Sequence, residues 1–98
     1  MANVLTTNPI FCDTAGVLKL KAANVYLKAI AWVADQASGC DIAADDDMLL
    51  SDANGARIIG KRASYIGDGI EMYHFPEGYQ PPGLTMTTID GGVCYIFI

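Results

Sequence analysis

Asp41, Asp45, Asp46, Asp47 and Asp52 crowd one short stretch of the chain. Carboxylates at that density are the donors a hard cation such as calcium takes, with roughly six to eight oxygens supplied by a shaped loop. The EF-hand order fails here, because Met48-Leu49-Leu50 follows Asp47 where that loop needs a glycine. Three adjacent carboxylates also repel one another, so the run reads better as a charged turn guarding a sheet edge. His74 is the single histidine, with Glu71 and Glu77 three residues to either side. A histidine paired with a carboxylate is a start toward acid–base or nucleophilic catalysis, but the chemistry also needs a nucleophile brought alongside in space. Paired-carboxylate hydrolysis has no firmer footing: Glu71 and Glu77 are the only glutamates, and Asp90 belongs to a tight turn. Trp32, Tyr65, Tyr73, Phe75 and Tyr79 have the ring faces a sugar-binding surface uses, although aromatics in small β domains more often serve core or contact roles.

Cys12, Cys40 and Cys94 are far apart, and no CxxC or Cys/His pair exists. That argues against zinc and for small buried apolar groups, one disulfide plus one thiol being the alternative. Gly67-Asp68-Gly69 and Gly91-Gly92 are turn glycines, and neither opens a helix, so neither is a phosphate loop. The expectation is therefore no catalytic residue, no cofactor and no metal.

The elements that must carry these residues read as β. Val25 to Ala34 alternates Val25, Leu27, Ala29, Ala31 and Val33 against Tyr26, Lys28, Ile30, Trp32 and Ala34. A helical spacing, Leu20, Ala23, Leu27, Ile30 and Ala34, competes with it. Period two and the β-type neighbours favour a central strand. Ile10–Cys12, Val17–Lys21 and Cys40–Ala44 read as shorter strands. Met48–Leu50 and Arg57–Lys61 flank Ser51-Asp52-Ala53-Asn54-Gly55, a strong hairpin turn. Ile70 to Phe75 alternates. Phe75 to Pro82 then reads as a contact loop, its prolines excluding a sheet interior. Gly83 to Ile98 reads as strand, Asp90-Gly91-Gly92 turn, strand, a final hairpin. About eight short strands at regular spacing predict an all-β fold, a small β-sandwich or jelly-roll-like barrel of antiparallel strands. The expected organisation is an extended N-terminal arm over residues 1–9 and one β-sandwich domain over 10–98.

Composition bounds the role. Of 98 residues, 52% are hydrophobic and 17% charged, and the net charge is −5. The usual charged share is about 25%. So much apolar surface on so small a domain points to a buried partner contact and to a homo-oligomer or a larger assembly. The scattered basic residues offer no nucleic-acid footprint. No apolar run approaches the roughly 18 residues of a membrane span. The first residues lack the charged and apolar regions of a signal peptide, so synthesis in a cytoplasm is expected.

The chain resembles a group of small β-rich virion proteins of tailed bacteriophages. The resemblance rests on Lys28-Ala29-Ile30-Ala31-Trp32-Val33, the turn Ala37-Ser38-Gly39, the Asp52-Ala53-Asn54-Gly55 turn before Ile58-Ile59, and the Gly83–Ile98 ending. It spans most of residues 25–98 and implies a structural role on the particle rather than an enzyme. A capsid decoration or cement protein fits best, with the major capsid protein or other virion proteins as partners and the virion, assembled in the host cytoplasm, as location. A tail or baseplate subunit is the nearest rival, and a carbohydrate-binding β-sandwich module the rival of another class. The expected interface residues are Val4 and Leu5 in the arm, and Phe75, Tyr79, Pro81 and Pro82 in the loop.

Overall fold

The computed structural model describes residues 3, 8–34 and 41–98. Eight strands follow in order: β1 (Ile10–Cys12), β2 (Gly16–Asn24), β3 (Leu27–Val33), β4 (Asp47–Ser51), β5 (Arg57–Arg62), β6 (Ile70–Tyr79), β7 (Pro82–Ile89) and β8 (Val93–Phe97). No helix occurs among the described residues. All pairings are antiparallel. One sheet runs β1-β8-β3-β6 and the other β2-β7-β4-β5. Every connection except β4–β5 passes from one sheet to the other, which is the strand order of a double-sheet jelly roll. The all-β sandwich read from the sequence is the fold.

The core is the shared inner layer. The first sheet contributes Ile10 and Cys12 from β1, Cys94 and Ile96 from β8, and Ile30 and Trp32 from β3. Their register is direct: Ile10 and Ile30 lie opposite Ile96, and Cys12 and Trp32 lie opposite Cys94. The second sheet answers with Leu18, Met48, Leu50, Leu84 and Met86. Directly opposite residues share a face, so Phe11, Tyr95, Phe97, Ala29 and Ala31 form the outer face of the first sheet. Phe11 and Tyr95 meet there edge to face, 5.8 Å between centroids.

β3 is a central strand, as its pattern predicts, but its alternation is broken. A register shift against β6 falls between Leu27 and Ala29. It lets Leu27 and Ile30, three residues apart, both enter the core. Val25, just before the strand, is buried with them.

Three expectations are corrected. Gly83–Ile98 is not a hairpin: β7 pairs with β2 and β4, while β8 pairs with β1 and β3. Asp90-Gly91-Gly92 instead carries the chain across the core from sheet to sheet. Two bonds fix this crossing: Trp32 Nε1 donates to the Gly91 carbonyl at 2.8 Å, and the Gly92 amide donates to the Asp41 carbonyl at 3.0 Å. Second, Asp41–Ala43 is irregular, not strand, and Cys40 lies outside the described residues. Its backbone is bonded to turns, with Gly67 N donating to the Ile42 carbonyl at 2.8 Å. Ile42, fully buried, closes that end of the sandwich. Gly92 sits at φ +74, and a Cβ there would lie 2.5 Å from the Ile42 side chain, so glycine is required.

Third, Pro76 lies inside β6, the longest strand, not in a loop. β6 is the outer strand of its sheet, the position where a proline costs no ladder bond. Between the pairs Ala29–His74 and Leu27–Tyr79, β3 advances two residues while β6 advances five. Pro76 is accommodated in that bulge.

Ile42→Ala is expected to cost about 2–4 kcal/mol, because the plug leaves a cavity. Ala43→Ser, at an exposed neighbour, should stay within about 0.5 kcal/mol. Equilibrium urea unfolding of both variants checks this, and equal effects would show that Ile42 is not the closing residue.

Candidate functional site

Asp46, Asp52 and Asp90 are turned toward the backbone. Asp46 Oδ2 accepts the Ala43 amide at 2.8 Å, and the Asp46 amide returns a bond to the Ala43 carbonyl at 3.1 Å. Asp90 Oδ2 accepts the Asp47 amide at 2.9 Å. Asp47 itself takes a two-pronged contact from Arg62, Nε at 2.9 Å and Nη2 at 3.1 Å. That guanidinium hydrogen bond holds the Asp47 carboxyl below its ordinary range. Asp52 is buried and accepts the Asn54 and Ala56 amides at 2.8 and 3.0 Å, which shapes the β4–β5 turn. Asp45 is exposed and left-handed, φ 69. Among the described residues no group of three or more His, Cys, Asp or Glu side chains is gathered as a metal would need. The acidic run does the work of a turn.

A second aspartate loop joins β5 to β6. Asp68 accepts from Lys61 Nζ and from the Ser64 amide, both at 2.8 Å, and Lys61 Nζ also reaches the Gly69 carbonyl at 2.8 Å. The Lys61 bond, ahead of the Ser64 amide, holds the Asp68 carboxyl below its ordinary range. The loop so braced presents Tyr65 and Ile66, 65% and 81% exposed.

His74 lies on β6 opposite Ala29, exposed, with Glu71 and Glu77 also exposed on that strand. Hollows in the surface are small. The one between Asp47 and Arg62 is about 180 Å³ and the one beside Trp32 and Tyr65 about 160 Å³. Both fall below the roughly 300–1,000 Å³ of ordinary ligand pockets. A larger hollow, about 350 Å³, is lined by Phe75, Pro76, Glu77 and Gly78 at the β6 bulge.

Comparison with known proteins adds no identity. No family model matches the chain, no curated protein matches it and no solved structure matches it. A site has to be argued from its own surface.

That surface is β6. Phe75 is half-buried against the core, and its ring meets Tyr73 edge to face at 5.1 Å and Tyr79, tilted 35°, at 6.0 Å. Met72, Tyr73 and Tyr79 are between 43% and 48% exposed. Tyr26, from the turn before β3, lays its ring over the bulge and its hydroxyl donates to the Glu77 carbonyl. Gly78, at φ +74, lies so close that a Cβ would fall 2.2 Å from the Tyr26 ring. Rings set at 71° and 35° to one another do not make the flat platform on which a sugar stacks.

Of the expected interface residues, Phe75 and Tyr79 are brought together on this strand. Pro81 and Pro82 are not free contact surface. Pro81 is buried and Pro82, half-buried, opens β7, where its carbonyl accepts the Ala53 amide at 3.0 Å. The loop reading fails because the chain pairs on both sides of Gln80. Val4 and Leu5 lie outside the described residues. The described part of the arm packs on its own domain. Asn3 Oδ1 accepts the Asp13 and Thr14 amides at 2.9 and 3.1 Å, and Asn8 exchanges two bonds with Ile98 at 2.7 and 3.0 Å. Tyr73, named among the exposed-ring candidates, is 48% exposed on this strand, whereas Met72, 43% exposed, has no mark in the sequence beyond the alternation of the strand.

Two outcomes test this site. Gly78→Ala should destabilise the domain by about 1–3 kcal/mol through the left-handed backbone and the Tyr26 contact. Adding Tyr26→Ser should remove most of the contact part, so the pair is non-additive in a double-mutant cycle; strict additivity would mean the ring does not press on Gly78. For pH, the depressed carboxyls of Asp68 and Asp47 contribute stability above the unfolded carboxylate value, lost as pH falls through their folded values. Protection of the Ser64 amide, its exchange rate taken relative to the intrinsic rate at each pH, should therefore fall in strong acid, and Asp68→Ala should show the same lowered protection at neutral pH.

Proposed function

We propose that this chain is a structural protein of a bacteriophage particle, a capsid decoration or cement subunit that binds the shell and stabilises it. One observation carries the reading: among the described sheet edges, β6 is the longest strand and exposes the large apolar side chains Met72, Tyr73 and Tyr79. An exposed edge is a template for another chain, and proteins blunt it by shortness, bulges or charge. β1 has three residues. β2 is broken by two register shifts. β5 carries Arg57, Lys61 and Arg62. β6 has ten residues, two charges, both glutamate, and exposed Met72, Tyr73 and Tyr79. Pro76 and the wide bulge blunt its second half; the first half, Ile70–Phe75, carries one smaller register shift between Ile70 and Tyr73 and is the stretch offered to a partner strand.

An extended segment of the major capsid protein, or of another virion protein, adds to that stretch by main-chain hydrogen bonds, with the aromatic cluster beside it supplying apolar area. Low charge, an eight-stranded fold with its turns braced by side chains, and a net charge of −5 suit a subunit that stays dispersed until it meets its shell. The role is structural, with no catalysis and no cofactor, on the virion after synthesis in the host cytoplasm. A tail or baseplate position uses the same edge and differs only in the partner.

Purified particles should contain the protein at a stoichiometry near that of the coat protein, read by quantitative mass spectrometry. Replacing Met72 and Tyr73 with Lys should lower occupancy at least about tenfold, equivalent to about 1.4 kcal/mol of contact, while circular dichroism of the isolated domain stays unchanged. Particles lacking the protein, or particles equally loaded with the variant, would end this reading.

A further inference from the structure

We infer that Cys12 and Cys94 form an oxidisable cross-strand pair whose disulfide staples the first strand of the fold to the last. The two residues lie directly opposite in the antiparallel β1–β8 pair. Both side chains are on the inner face and fully buried, and both are free thiols in this structure. Opposed residues in antiparallel strands have Cα atoms about 4.5–5.5 Å apart, inside the roughly 4.4–6.8 Å that disulfides span. The Cys12 Sγ donates to the Thr14 carbonyl at 3.4 Å in the reduced form, and that bond is exchanged for the bridge. Trp32 lies across from Cys94 on its other side, fully buried like both cysteines.

Access comes through β1. That strand has three residues, pairs on one side only, and Cys12 is its last residue. It is held by the Asn3 bonds to Asp13 and Thr14 and the Asn8 bonds to Ile98. Local opening of such an edge costs less than global unfolding and bares Cys12 first. Burial pushes the Cys12 thiol up to about 11 and the Cys94 thiol further still, so the closed form reacts slowly. The oxidant is a low-molecular-weight disulfide. The Cys12 thiolate attacks it, a mixed disulfide forms and one small thiol leaves. On reclosing, the Cys94 thiolate attacks the Cys12 sulfur, the Cys12–Cys94 bond forms and the second small thiol leaves. Two electrons pass to the oxidant, and the two protons lost by the protein thiols end on the two released thiols. The bridge closes a loop of about 80 residues, long enough to restrict the unfolded chain strongly.

The experiment treats the full-length chain, folded and reduced, with oxidised glutathione, beside a Cys40→Ser variant. The expected result is a loss of two hydrogens by intact mass, a Cys12–Cys94 peptide by proteolytic mapping in both proteins, and a melting temperature several degrees higher that dithiothreitol reverses. An unchanged mass, glutathione adducts without a bridge, or a bridge that uses Cys40 would overturn the pairing. A Cys12–Cys94 bridge that leaves melting unchanged would overturn the staple. None of these results depends on whether the protein is found on particles.

Discussion

Neither sheet can stand without the other, because no sheet is built from consecutive strands except at the β4–β5 hairpin. The β1-β8-β3-β6 sheet draws on both ends and the middle of the chain, and its strands are delivered only by repeated passage across the core. The constraint that holds this together is the inner apolar layer centred on Trp32. Its ring is fully buried, its neighbours are Cys94 on β8 and Ile70 on β6, and its indole N–H is satisfied by the Gly91 carbonyl. A buried indole without that acceptor would leave a desolvated donor, at a cost of about 1–3 kcal/mol. The bond therefore ties the central strand to the crossing that delivers β8. Pairings this distant in sequence close long loops before any contact rewards them, so folding by this route is slow compared with a helical bundle.

Because the sheets are fixed by the core, the turns are left to satisfy their own backbone groups, and the acidic residues take that task. Asp46, Asp52, Asp68 and Asp90 each accept at least one main-chain amide. Asn3 and Asn8 do the same near the N-terminus. This explains why an acidic cluster is present without a metal-like gathering of donors: Asp46 and Asp52 accept amides, and Asp47 is engaged by Arg62. No buried side-chain polar atom among the described residues lacks a partner. The β4–β5, β5–β6 and β7–β8 connections are thus each braced by an aspartate side chain, and the β1–β2 turn by Asn3.

The alternation of Leu27 to Val33, the short strands and the Asp52–Gly55 turn made the all-β class legible from the residues alone. What stayed hidden has one cause. Period-two patterns report which residues share a face, not which strand lies alongside. Gly83–Ile98 carries every local mark of a hairpin, and Asp90-Gly91-Gly92 is a real turn, but the partners of β7 and β8 are chosen by the core layer and lie far off in sequence. Pro76 misled for a related reason: proline excludes an inner strand but not an outer one, and only the sheet order says which β6 is. Phe75 and Tyr79 were readable as contact residues because they are aromatic beside prolines. Tyr73 was readable among the same rings, whereas Met72 looks like any residue of an alternating strand until the sheet order shows that β6 is an edge.

The bulge and the open edge of β6 are linked by position. An outer strand is bonded to β3 along one side only, so inserting three residues between His74 and Tyr79 disturbs a single ladder. In an inner strand the same insertion would break two. Tyr26 covers the disturbed part, bonding the Glu77 carbonyl and packing against Gly78, so the irregular half of the edge is already occupied by the chain itself. The other half, Ile70–Phe75, with a smaller register shift between Ile70 and Tyr73, has no such cover among the described residues. Beside it, Phe75 anchors Tyr73 and Tyr79 against the core. Rings held in this way lose little side-chain freedom when a partner arrives, and that lowers the cost of association more than added area would. The edge is thus prepared for a strand over half its length and closed to one over the rest, which limits where a partner can begin to pair.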